Sequence, residues 1–120
     1  MLALDRIYHA AYVLKGVARK TDLIAAPHLV SGMEDLYLKT ENLQVTGSFK
    51  LRGASYKISQ LPKGDLERGI IACSAGNHAQ GVALAATHMG VRSIVCMPDG
   101  APIMKVESTR RGASRQGQLR

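Results

Sequence analysis

Two stretches of this 120-residue chain hold residue types whose spacing could do chemistry. The first reads TGSFKLRGA, residues 46–54, and places Lys50 between Phe49 and Arg52. If Ser48 caps a helix, Lys50 falls in its first turn, where the helix dipole disfavours positive charge. Partial desolvation beside Phe49 would add to that and favour the neutral amine that a nucleophilic or imine-forming lysine needs. The plainer alternative is a surface lysine that lays its stem on the protein and keeps its charge in water.

The second stretch reads CSAGNHAQG, residues 73–81. It passes from an apolar strand-like run through small residues into a helical pattern. A helix N-terminus offers unpaired N–H groups and partial positive charge, which suit a carboxylate or a phosphate. In an open parallel sheet, ligands gather at the carboxyl ends of the strands, where this turn would lie. The alternative is an ordinary strand–helix turn capped by Ser74 or Asn77.

Other chemistries are excluded by pattern. Gly76 and Gly81 have phosphate-loop spacing but are followed by Val82 and Ala83, not Lys and Ser or Thr. There is no GxGxxG and no GxSxG. His9, His28, His78 and His88 form no HExxH, so no metal site is expected. Cys73 and Cys96 sit far apart in apolar runs and read as buried small hydrophobes.

Elements that could position the two stretches follow from periodicity. Residues 3–17 read as an amphipathic helix closed by Gly16, with Leu4, Ile7, Ala11 and Leu14 on one face. Residues 21–27 and 36–41 read as short extended runs. Residues 48–61 return to helical period with Leu51, Ala54, Ile58 and Leu61 on one face, and LPKGD breaks it. Residues 69–74 and 93–98 read as buried strands, and 77–90 as a helix of small residues. Pro102 opens a last helix running to about Arg111. The order from residue 36 is β-α-β-α-β-α, which predicts an α/β fold with a parallel sheet and flanking helices.

The formal charge is +7, and 46% of residues are apolar but only 4% aromatic. Residues 105–120 supply five bases against Glu107, and the first 104 residues hold eleven bases and eight acids. The last sixteen residues therefore supply +4 of the +7, and the first 104 only +3. With no aromatic-interleaved basic stripe, no nucleic-acid partner is expected. No apolar run approaches the ~20 residues of a membrane span, so no membrane partner is expected. No secretory signal is visible, and the two cysteines make no CxxC pair, so the expectation is a cytoplasmic chain.

Taken together, KTENLQVTGSFKLRGA (39–54) and ACSAGNHAQGVALAA (72–86) resemble the serine/threonine dehydratases, or threonine ammonia-lyases. These are pyridoxal-phosphate enzymes of the tryptophan-synthase-β type, and the likeness runs from Leu4 through residue 111. It implies part of pyridoxal-phosphate fold type II. It implies that Lys50 holds the cofactor through its amine, that Phe49 and Ala75 flank the pyridine ring, and that Asn77 bonds the ring hydroxyl. Ser74, Gly76, Asn77 and His78 would bind the substrate carboxylate. The implied reaction is α,β-elimination of threonine to 2-oxobutanoate and ammonia, or of serine to pyruvate. Ala75 has no proton to give where racemase-like relatives tend to carry a serine, which favours elimination.

The resemblance also sets expectations for organisation. Residues 1–45 would be an arm of an incomplete large domain, and 46–111 an incomplete small α/β domain. Residues 112–120, GASRQGQLR, replace the apolar strand that the architecture calls for and read as a disordered tail. Full-length relatives carry a glycine-rich phosphate loop further downstream and are expected to be homo-oligomers. The alternatives are a truncated, inactive fragment, or a cysteine-synthase-like or serine-racemase-like member.

Overall fold

The computed structural model describes residues 3–32 and 35–113. Helix α1 spans Leu4–Val13, strand β1 Leu23–Ala25 and strand β2 Tyr37–Lys39. Helix α2 (Lys50–Ser59) and the short helix α3 (Lys63–Arg68) lead to strand β3 (Ile70–Cys73). Helix α4 (Asn77–His88), strand β4 (Ser93–Cys96) and helix α5 (Ile103–Ala113) complete the described order.

The centre of the molecule is α4. Seven of its residues, Ala79 to Ala83 with Ala85 and Ala86, are buried, so it is enclosed on nearly every side. Its alanines and Gly81 let neighbours approach closely. Helix α2 presents Leu51, Ala54, Ser55 and Ile58 at three- and four-residue spacing and buries that face. Ala54 and Ile58 meet Val82 and Ala85, and Leu66, Ile70 and Ala72 pack onto this cluster. Helix α5 closes the other side. Thr109 is fully buried there, and Thr87 Oγ1 donates to the Gly112 carbonyl at 2.8 Å.

Strands β3 and β4 are parallel, with Ile70 opposite Ser93 and Cys73 opposite Cys96. The period of two sends Ser93 and Val95 into the interior. Ile71 faces the other way and is 75% exposed. The cysteines share that outer face, so both are exposed and not buried as their apolar runs suggest.

Residues 36–41 do not begin the parallel sheet. Strand β2 pairs antiparallel with β1 in a separate two-stranded sheet, Leu23 opposite Lys39. All six residues of these strands are exposed, and a parallel sheet needs strands that bury apolar faces. The parallel sheet among the described residues therefore has two strands.

Other boundaries move for local reasons. LPKGD breaks the helical run as expected, since α2 ends at Ser59, but it also opens α3: Pro62 takes the N-cap position, and Asp65 lies in the first turn. Gly69 then turns the chain at φ 89°, where an added Cβ would meet the Arg92 carbonyl oxygen at 2.9 Å. Helix α1 forms, but none of its residues is buried. Its hold on α2 includes His9 Nδ1 within 3.0 Å of the Tyr56 hydroxyl. Helix α5 runs two residues past Arg111, to Ala113, and the rest of the expected tail lies outside the described residues.

Candidate active site

Lys50 is the first residue of α2. The turn before it is made by Gly47, whose N–H bonds the Gln44 carbonyl at 2.7 Å and whose φ of 69° reverses the chain. Ser48 does not cap the helix. Phe49 occupies the N-cap position with helical angles and no side-chain cap. The Ser48 hydroxyl is instead buried with no hydrogen-bond partner. Lys50 is exposed, so this chain does not supply the desolvation expected beside Phe49. Its Nζ stands 5.2 Å from the centroid of the Phe49 ring, within cation–π range, and that ring is 59% exposed.

What fixes the start of α2 is a polar clamp. Arg52 makes a two-pronged contact with Glu41, Nε to Oε2 and Nη2 to Oε1, both at 2.8 Å. The same Nη2 donates to the Arg19 carbonyl at 3.0 Å, and Thr21 Oγ1 donates to Glu41 at 2.5 Å. Lys39 Nζ donates to the Thr21 carbonyl. Arg52's hydrogen bonds, opposed by partial burial and aided by Thr21, hold the Glu41 carboxyl down at about 2. In return the bond to Glu41 raises the Arg52 guanidinium.

Gln44, buried beside this clamp, ties down the N-terminal arm. Its Oε1 accepts from the Arg19 N–H at 2.7 Å and from the Val45 N–H at 3.0 Å. Its Nε2 donates to the Arg19 carbonyl at 2.9 Å.

Behind Lys50 stands α4. A Cβ added at Gly81 would lie 3.1 Å from both the carbonyl carbon and oxygen of Lys50, and 3.2 Å from the Leu51 nitrogen. Glycine at this position therefore sets how closely the lysine-bearing turn sits on α4.

The 73–81 turn does leave β3 at its carboxyl end. The Ser74 N–H bonds the Cys96 carbonyl at 3.0 Å, extending the ladder by one residue. Ser74 Oγ accepts from the Gly76 N–H at 3.2 Å, an internal turn bond and not a helix cap. Gly76 is the N-cap of α4 and provides no side chain, so the first N–H groups of the helix have no side-chain partner. Asn77 does not cap either. Its Oδ1 accepts from Lys105 Nζ of α5 at 3.0 Å, which leaves its amide N–H groups to donate elsewhere. Ala75 is half-buried.

A groove of about 480 Å3 runs between α2 and β3. Phe49, Lys50 and His78, the second residue of α4, line it together with Gly53, Ile71 and Ala72. Ser74, Ala75, Gly76 and Asn77 do not line it. The structure thus brings Lys50, Phe49 and His78 to one groove and leaves the rest of the turn beside it. Among the described residues no group of three or more His, Cys, Asp and Glu could hold a metal ion. No helix among them is long and apolar enough to cross a membrane.

A strand-to-helix turn with a bare helix N-terminus, beside a groove lined by a lysine at another helix start, offers N–H donors to an anion and an amine to a carbonyl group. Residues 14–113 match the family described as pyridoxal-phosphate dependent enzyme, and the chain belongs to that family.

Within it, the chain is 49% identical to L-threonine ammonia-lyase of Thermotoga maritima over 112 residues. That match covers 92% of this chain and 28% of the relative. Among solved structures, maize serine racemase superposes with a TM-score of 0.85 at 31% identity, over 98% of this chain and 35% of that one. The processed form of threonine deaminase isoform 2 from Solanum lycopersicum superposes at 0.75 with 32% identity, over 99% of this chain and 36% of that one. The parallel sheet with flanking helices is the fold shared with these enzymes.

Glu41, Arg52, Gln44 and Lys105 stand out only in three dimensions. Arg52 lies in the same helical turn as Lys50, but nothing in the spacing pairs it with Glu41, eleven residues upstream.

Proposed function

We propose that this sequence carries the lysine-bearing part of a pyridoxal-phosphate site for α,β-elimination of threonine, and of serine. The observation that carries the reading is the shared groove: Lys50, Phe49 and the start of α4 at His78 line one cavity. The donor set fits the cofactor. It offers an amine, an aromatic face, a carboxamide with free N–H groups, and a helix N-terminus without a side-chain cap. An added Cβ would find open space at both Gly53 and Gly76, so the rim is not filled.

Lys50 would hold the cofactor through its amine, with Phe49 against one face of the ring and Ala75 against the other. Asn77 would donate to the ring hydroxyl, with Lys105 fixing its carboxamide. When bound, the cofactor supplies an electron sink that lets the α-proton leave. The Lys50 Nζ would take that proton. Ser74, Gly76, Asn77 and His78 hold the substrate carboxylate, chiefly through the unclaimed N–H groups of α4's first turn. The β-hydroxyl would leave with a proton as water, and one water would be consumed as the nitrogen departs, so that the products are ammonia with 2-oxobutanoate or pyruvate. Ala75 cannot deliver a proton to the opposite face, which supports elimination over racemisation.

Residues 1–45 would belong to a larger domain and residues 46–111 to a smaller one. A second reading, a segment that binds without turnover, is favoured by the exposure of Lys50 and Phe49. Visible spectra of the purified chain with pyridoxal phosphate, beside Lys50→Ala, test both. A Lys50-dependent band with ammonia release from threonine is the expected result. A band without ammonia supports the second reading. A spectrum identical to that of free cofactor overturns both.

A further inference from the structure

We propose that Cys73 and Cys96 form a dithiol pair that closes to an intramolecular disulfide on reaction with a low-molecular-weight disulfide such as oxidised glutathione. The two are register partners on neighbouring parallel strands. Such strands lie about 4.8 Å apart, inside the Cα separation of roughly 4.4–6.8 Å that a disulfide spans. Register partners present their side chains to the same face. Here that is the face turned away from Ser93 and Val95, and both thiols are exposed on it.

Each cysteine is also the last residue of its strand. Beyond them the ladder continues through the single bond from Ser74 N–H to the Cys96 carbonyl. The side chains can therefore converge at the end of the ladder, where one bond and not a full run of pairs must be kept. Neither thiol has a part in the elimination chemistry, and the pair stands independently of the cofactor reading.

The exchange balances. One protein thiolate attacks a sulfur of the small disulfide, forms a mixed disulfide and expels one small thiol. The second protein thiolate attacks the protein sulfur of that mixed disulfide and expels the other. Two protein thiols are oxidised by two electrons, one small disulfide is reduced to two thiols, and those thiols carry away both protons. The new bond would tie β3 to β4 at the root of the turn that begins with Ser74.

The test is intact-mass spectrometry of the reduced wild-type chain after exposure to oxidised glutathione, with Cys73→Ser and Cys96→Ser alongside. The wild type should lose the mass of two hydrogen atoms, remain monomeric on a non-reducing gel, and yield a linked peptide pair on digestion. Each variant should instead retain one glutathione adduct. Closure should be at least ~10-fold faster in the folded chain than in urea, because register replaces a random encounter. A wild type that retains two adducts, or that links into dimers, overturns the proposal. So does closure at the same rate in urea.

Discussion

Gly81→Ala and Gly53→Ala are the same substitution in two helix interiors, and they should change stability in opposite directions. Each exchanges glycine for the best helix former, a gain of about 1 kcal/mol at an unencumbered site. Gly53 is such a site: it is exposed, and an added Cβ meets nothing within 4 Å. At Gly81 the same methyl group lands 3.1 Å from the Lys50 carbonyl carbon and oxygen. Those are backbone atoms at the start of α2, and the next residue, Leu51, is fully buried. They cannot swing aside as a flexible side chain would. Overpacking of this kind costs about 1–3 kcal/mol, so the helix gain is cancelled or exceeded. The expected outcome is stabilisation by about 0.5–1 kcal/mol for Gly53→Ala and destabilisation by up to about 2 kcal/mol for Gly81→Ala. Urea unfolding followed by far-ultraviolet circular dichroism reads both. Equal stabilisation by the two variants would refute the reasoning that α4 and the lysine turn are in backbone contact.

Three further outcomes follow from the clamp and the core. Glu41 is lowered from 4.5 to about 2 in the folded chain, so its contribution is complete above pH 4.5 and is lost as the pH falls toward 2. Allowing for solvent screening of the partly exposed Arg52, Glu41→Gln should cost about 1–2 kcal/mol at pH 7, and urea curves of the two chains should converge at acid pH. Ser55 buries a hydroxyl that has no partner, so Ser55→Ala should raise the urea midpoint by roughly 0.5–2 kcal/mol equivalent; a lower midpoint would show that the hydroxyl is satisfied. Leu51→Ala, at a fully buried position of α2, should cost about 2–5 kcal/mol in the same assay.

The helices α2 and α4 were legible because their small and apolar spacing is what burial requires; the short α3 was not. Leu51, Ala54 and Ile58 mark the buried face of α2, and the alanine run of 77–90 marks the central helix. Both strands of the parallel sheet were legible as apolar runs. Which side of them faces solvent was not, because an apolar run four residues long reads the same from either face; hence the misplaced cysteines. The partner of β2 was not legible either, since strand pattern says nothing about which edge a strand joins. At the candidate site, spacing singled out Lys50 and the 73–81 turn only beside plainer readings, and it was their pairing in the family resemblance that marked them as a site. The Arg52–Glu41 clamp was not legible, because a base and an acid eleven residues apart look like any two surface charges until the chain folds between them.

Gln44 holds Arg19 as a peptide group of a neighbouring strand would, accepting one N–H and donating to one carbonyl. A carboxamide is the side-chain form of the amide bond, so the position demands one donor and one acceptor at fixed separation. Glutamate offers only acceptors and would set an anion against the Arg19 carbonyl. Hydrolysis of this single amide, the slow spontaneous loss of ammonia that ages proteins, would therefore loosen the N-terminal arm at Arg19 and leave it to the contacts of Arg52, Glu41 and Lys39. The buried carboxamide is thus the part of the arm's fastening that ordinary chemical ageing converts to an anion.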